Sequence, residues 1–187
     1  MGFAELFLLA IGVSMDAFAV SICKGLAMKK ATVGGMATVG GWFGGFQALM
    51  PLIGFYLGTL FASAIEAVDH WVAFILLGLI GISMIKEALG KEEECQDDSL
   101  AFKTMLVMAI ATSIDALAVG ISLAMAGNVN IFTAVLLIGV TTFILSAIGV
   151  KIGNVFGSKY EKKAQFCGGV ILILLGTKIL LEHLGVL

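Results

Sequence analysis

Stretches of about twenty or more apolar residues recur six times along this chain, at about 3–23, 34–60, 71–89, 101–125, 130–153 and 166–184. They leave it almost no choice of solvent. Crossing about 30 Å of hydrocarbon at a rise of about 1.5 Å per residue takes roughly 20 residues of helix. In that layer only helices and closed barrels satisfy their own backbone polar groups. The joints between the stretches are short, so nearly all of the 187 residues lie in or beside lipid, with no soluble domain and no room for a nucleotide-binding module. Composition agrees: 60% of residues are hydrophobic and 13% charged, at a mean hydropathy of +1.10. The expected fold class is all-α, a polytopic membrane protein of six transmembrane helices. The first stretch is read as a retained helix rather than a signal peptide, because it lacks a basic leading region and is interrupted by Glu5 and Asp16.

Charge sets the expected orientation. All the basic side chains are lysines, and positive charge in short loops is retained on the cytoplasmic side. Lys24, Lys29 and Lys30 follow the first stretch, Lys86, Lys91 and Lys103 flank the joint between the third and fourth, and Lys151, Lys159, Lys162 and Lys163 follow the fifth. The joint at 62–70 carries Glu66 and Asp69, and that at 126–130 carries no charge. Both termini are therefore expected outside, with Lys178 off the pattern. At a net charge of −2 nucleic acid is not an expected partner. Cys23, Cys95 and Cys167 form no CxxC pair and are read as buried apolar residues or inert thiols.

The chain also repeats itself. Ser14 to Val20 reads SMDAFAV and Ser113 to Val119 reads SIDALAV. Gly54-x-x-x-Gly58 matches Gly149-x-x-x-Gly153, and Leu79-Ile80-Gly81 with Glu87-Ala88-Leu89 matches Leu174-Leu175-Gly176 with Glu182-His183-Leu184. The halves are 1–89 and 101–187, joined by an acidic cytoplasmic linker at 90–100. Three helices per half is an odd number, so the second half must enter the membrane from the opposite face. That arrangement is two inverted three-helix repeats within one membrane domain, as in many secondary transporters. The repeated glycines explain close helix packing.

Asp16 and Asp115 are not explained by packing. A carboxylate at the centre of a membrane helix costs about 2.5–3.5 kcal/mol on the lenient scale, and the inverted repeat makes the two aspartates partners at similar depth. Facing carboxylates repel, and one divalent cation would neutralise both. Ser14, Thr112 and Ser113 add hydroxyls and carbonyls nearby, with no His or Cys beside either aspartate. An all-oxygen environment suits magnesium, calcium or manganese. In the second stretch Gln47 lies four residues before Pro51, the only proline. Because Pro51 has no N–H, the Gln47 carbonyl loses its helical donor and a kink is expected there, so that Gln47 offers two oxygens to a cation or cavity. Thr141, Thr142 and Ser146 are the polar counterparts in the second half. The candidate metal-binding residues are thus Asp16, Asp115 and Gln47, with Ser14, Pro51, Thr112, Ser113, Thr142 and Ser146 as cavity lining. The acidic run Lys91 to Asp98 reads as a solvated connector.

The pattern Ser-x-Asp-Ala-x-Ala-Val in both halves, with Phe46-x-x-x-x-Pro51-Leu52-Ile53-Gly54 between them, resembles the manganese efflux pump family of MntP type, within the wider LysE-like exporter group. The resemblance covers essentially the whole chain. It implies a multi-pass exporter of Mn²⁺ in a bacterial cell membrane, with Asp16 and Asp115 central to transport, manganese as substrate rather than cofactor, no enzyme activity, and protons as a possible counter-ion. Some members carry an acidic residue where this chain has Gln47. Three rival readings fit the sequence less well. Intramembrane aspartyl proteases carry Gly-x-Gly-Asp contexts that neither aspartate here has, and a thiol relay would need cysteines at equivalent repeat positions, whereas Cys23 corresponds to Ser122. An exporter of another divalent cation or of an amino acid is the stronger alternative. Two carboxylates with no lysine in the site favour a divalent cation over a zwitterion.

Overall fold

The computed structural model describes residues 2–28, 30–65, 99–126 and 129–156, together with isolated positions between 74 and 89 and between 166 and 181. The described elements are six helices: α1 (Phe3–Val13), α2 (Met15–Ala27), α3 (Val33–Ile65), α4 (Phe102–Ala111), α5 (Ile114–Met125) and α6 (Ile131–Phe156). Among the described residues, Phe3–Ala27, Val33–Leu60 and Ile131–Val155 are long and apolar enough to cross a membrane; α4 and α5, bent by 42° at their joint, make a fourth span if the pair is counted as one. The expected helices at 71–89 and 166–184 and the linker at 90–100 lie almost wholly outside the described residues.

Local chemistry sets the ends. Thr32 Oγ1 accepts the Gly35 N–H at the start of α3, and Asn130 Oδ1 accepts those of Phe132 and Thr133 at the start of α6, each satisfying donors that a helix N-terminus leaves over. One difference from the sequence reading stands out. The first and fourth spans, expected as continuous helices, are broken at Ser14 and at Thr112–Ser113. Pro51 lies inside α3, which runs through it as one helix. The breaks share a local feature: Ser14 Oγ donates to the Ala10 carbonyl and Ser113 Oγ to the Ala109 carbonyl, each at 2.5 Å. A serine that bonds back onto the preceding turn competes with the helical ladder and bends it.

Packing follows the glycines. A Cβ built on Gly54 would overlap the Leu117 carbonyl and approach Ile121, and one on Gly58 would press on Ile121 and Ala124. Residue numbers rise together in these contacts, so α3 and α5 run parallel. On the other side Gly149 meets Phe18 and Ser21, and Gly153 meets the Ile22 carbonyl, so α6 and α2 also run parallel. Gly40 meets Phe143 while Gly44 meets Gly139, which makes α3 and α6 antiparallel. The two aspartate-bearing helices α2 and α5 consequently run in opposite directions, each laid on a long helix from the other half. Two apolar clusters fill the interior. One joins Leu6, Leu9 and Val13 of α1 with Ala116 and Val119 of α5 and Ala134 of α6, and the other joins Ala17 of α2, Val39 and Phe43 of α3, Met105 and Ala109 of α4 and Val150 of α6.

Among the described residues, several polar side chains lie inside beside the apolar clusters, while large apolar ones face outward. Ser14, Ser21, Gln47, Ser113, Thr142 and Ser146 are buried, whereas Leu60, Phe132 and Leu136 are exposed by 75%, 66% and 68%. In water that distribution would be ruinous. In lipid it is expected, since small residues and interior polar groups hold helices together while apolar side chains meet the acyl chains.

Candidate functional site

Each motif serine ends one half-helix and each motif aspartate opens the next. Asp16 lies in the first turn of α2 and Asp115 in the first turn of α5. A helix N-terminus carries a partial positive charge, worth typically about 0.3–1 kcal/mol to an anion there, which offsets part of the cost of an acidic side chain in the membrane. Both residues are half-buried, with Asp16 Oδ1 and both Asp115 carboxylate oxygens shielded from solvent. The preceding half-helices end at the same points, and the last carbonyls of a helix lack intrahelical donors. Among the described residues no backbone N–H is bonded to the Val13 or Thr112 carbonyl. Each break thus combines an acidic side chain, a hydroxyl and a carbonyl released from the helical ladder, all of them hard oxygen donors.

The long helices bring the remaining predicted residues to the first break. Gln47 Nε2 donates to the Val13 carbonyl at 2.6 Å. A carbonyl only accepts, so the NH₂ group must face Val13 and Gln47 Oε1 must face away; it is shielded from solvent and without a hydrogen-bond partner among the described residues. That is the orientation a cation ligand needs. Thr142 Oγ1 lies 2.7 Å from Ser14 Oγ. Since the single Ser14 proton goes to Ala10, Thr142 is the donor. One turn further along α6, Ser146 Oγ is likewise buried and without a partner. Ser113 and Thr112 bond only within their own span. The structure thus joins Ser14, Thr142 and Gln47 at one break, keeps Ser113 and Thr112 at the other, and sets Pro51 against Gly120 of α5.

Among the described residues no three His, Cys, Asp or Glu side chains gather into a metal-binding group, so a cation held here would rely on neutral oxygens besides carboxylates. Two open grooves lie elsewhere. One of about 380 Å³ runs along Thr38, Trp42 and Phe46 of α3, and one of about 330 Å³ lies between Ala48 and Leu136. Both are lined almost wholly by apolar side chains and border neither aspartate.

Three features escaped the sequence reading. Lys24, read as a loop lysine, is 1% exposed in the last turn of α2, where a cation suits the dipole; its Nζ donates to the Ser99 carbonyl at 3.0 Å. Asn154 fastens the α2–α3 turn, donating to the Gly25 and Met28 carbonyls at 3.1 and 2.7 Å and accepting the Ala31 N–H at 3.2 Å. A polar residue immediately after the small-residue contact at Gly153 was the available signal. Finally, Cys23 is disulfide-bonded, which corrects its reading as an inert thiol; Cys95 and Cys167 lie outside the described residues.

Comparison with known proteins places these features in a family. The family model described as "Putative manganese efflux pump" matches residues 30–180. A protein of Desulfitobacterium hafniense named as such a pump is 60% identical over 187 residues, covering 100% of this chain and 98% of its own length. Pumps so named from Acetivibrio thermocellus and Campylobacter jejuni are each 55% identical, covering 100% and 98% of this chain and 94% and 98% of their own lengths. No solved structure matches the chain.

Proposed function

The chain belongs to the manganese efflux pump family, a family of transporters rather than enzymes, and from that premise we propose that it exports manganese(II) from the cytoplasm across a bacterial cell membrane. Asp16 and Asp115 share the ion, and Gln47 contributes its side-chain oxygen. The observation that carries the reading is the pair of broken spans, each opening its second half-helix with a solvent-shielded aspartate. Manganese(II) is a hard cation that takes carboxylate, carbonyl and water oxygens, and those are what the breaks and the Gln47 amide offer.

The architecture we propose is two inverted repeats of three membrane helices, 1–89 and 101–187, around the 90–100 linker, with both termini outside. Its support is the reciprocity of the packing. Gly54 on Leu117 answers Gly149 on Phe18, Gly58 on Ile121 answers Gly153 on Ile22, and Ala116 with Ala134 in one apolar cluster answers Ala17 with Val39 in the other. Opposed repeats that share a site between them suit alternating access. Protons compete for the same carboxylates, so acidification of the cytoplasm lowers export, and a proton counter-flow fits that competition.

The test is cellular metal content. Expression of the chain should lower intracellular manganese selectively among divalent metals, and the effect should vanish in the Asp16→Asn variant at equal amounts of inserted protein. Unchanged manganese, or an equal fall in every metal, would remove the proposal.

A further inference from the structure

The two breaks are alike in sequence and unlike in how they are held. The first is gripped from both long helices, by Gln47 of α3 on the Val13 carbonyl and by Thr142 of α6 on the Ser14 hydroxyl. At the second, the Ser113 hydroxyl bonds only to the Ala109 and Ile110 carbonyls of its own span, and the Thr112 carbonyl takes no backbone N–H. Ser113 is as fully buried as Ser14, at 0% exposure, so water does not make up the difference.

Register shows which contact the second break lacks. Two helical turns before Gly149, which packs on Ser21, stands Thr142; two turns before Ser21 stands Ser14; and the Thr142–Ser14 bond is present. Two turns before Gly54 stands Gln47, and two turns before Gly120, which packs on Pro51 of the same helix, stands Ser113. Gln47 and Ser113 are therefore the counterparts of Thr142 and Ser14, at one level on parallel helices. The chemistry allows the bond: the Ser113 proton is committed to Ala109, leaving an acceptor, and the Gln47 NH₂ group is a donor. The contact is nevertheless absent, because Gln47 is turned to Val13.

We infer that Gln47 and Thr142 are positioning residues that exchange partners between the two breaks, so that the structure is one of two mirrored states. In this state both hold the first span. In the other, Gln47 donates to Ser113 Oγ and Thr142 to the Thr112 carbonyl, so that the second span is held and the first released. The count of hydrogen bonds is the same in both, and the states lie close in energy. A transporter that visits both faces of the membrane needs that near-degeneracy. The inference rests on the inverted-repeat reading above. It is independent of which ion is carried.

Amide hydrogen exchange on the purified full chain in lipid nanodiscs, without metal, tests the exchange. Ser113→Ala removes the acceptor used only in the unseen state and should slow exchange across residues 11–18, at the distant first break. Losing one hydrogen bond shifts the equilibrium about fivefold, the equivalent of about 1 kcal/mol at 1.4 kcal/mol per tenfold; from near-equal states the released fraction falls from about a half to about a sixth, so exchange should slow about threefold. Ser14→Ala is the mirror arm and should slow exchange across residues 110–117. Either arm suffices if the other variant fails to insert. Slower exchange at the distant break supports the switch; substitutions that loosen only their own break, leaving the other unchanged or faster, overturn it. Because no ion is present, that failure leaves the manganese reading standing, and absence of manganese export by the parental chain would sink that reading alone.

Discussion

Replacing Asp16 by asparagine keeps the volume and removes the charge, and the structure predicts that stability and transport respond in opposite senses. An aspartate at the centre of a membrane helix costs about 2.5–3.5 kcal/mol to insert. Its place in the first turn of α2 recovers about 0.3–1 kcal/mol through the helix dipole. A cost of roughly 1.5–3 kcal/mol remains on these scales before the interactions that Asp16 and Asp115 make in the structure, and an amide keeps hydrogen-bonding capacity while avoiding most of that cost. Asp16→Asn, and Asp115→Asn likewise, should therefore insert as well as the parental chain or better and melt no lower in detergent. Export should fall at least tenfold, since a divalent ion keeps one charged ligand of two. The double variant should lose little beyond either single one, because residues that act as one unit are not additive. The assay pairs manganese content of cells with quantified inserted protein and a thermal melt. Variants that insert poorly yet export manganese at the parental rate per molecule would show that the aspartates are a structural pair, and the shared-site argument would fail.

Three further outcomes follow from other contacts. Gly153→Ala sets a methyl against the Ile22 carbonyl, backbone that cannot yield, and should cost about 1–3 kcal/mol as overpacking does; Gly41→Ala meets nothing within 4 Å among the described residues and should be near neutral in the same melt. Lys24→Met keeps the volume but strands the Ser99 carbonyl it bonds, so stability should fall by about 1–3 kcal/mol without change in metal selectivity; a switch in the exported metal would instead place Lys24 in the ion path. Labelling of single cysteines from outside the cell should reach residues 62–70 and both termini and miss 159–163, and the reversed pattern would overturn the orientation drawn from the lysines.

What the sequence made legible was whatever long-range patterning encodes. The apolar stretches at 34–60 and 130–153 reappear within about five residues as α3 and α6, and the repeated glycines sit where helices touch. The duplicated aspartates pointed to the breaks without revealing them. The reason is that a serine back-bond does not by itself decide a break: Ser14 and Ser113 make it where a helix is interrupted, while Ser21 and Ser122 make the same bond to the Ala17 and Ala118 carbonyls inside unbroken helix. Composition cannot separate those cases. At the first break Thr142 and Gln47 reach in from across the interface, whereas Ser113 at the second bonds only within its own span. Pro51 shows the complementary case. Removing the N–H at Pro51 takes the helical donor from the Gln47 carbonyl, yet α3 continues through that point, packed closely against Gly120. Lys24 was hidden by a rule that counts positive charge without asking whether it is solvated. These cases share one principle. In a membrane the polar groups are few, and the partner of each, which lies far off in sequence, decides whether it bends a helix, fastens a loop or waits for an ion.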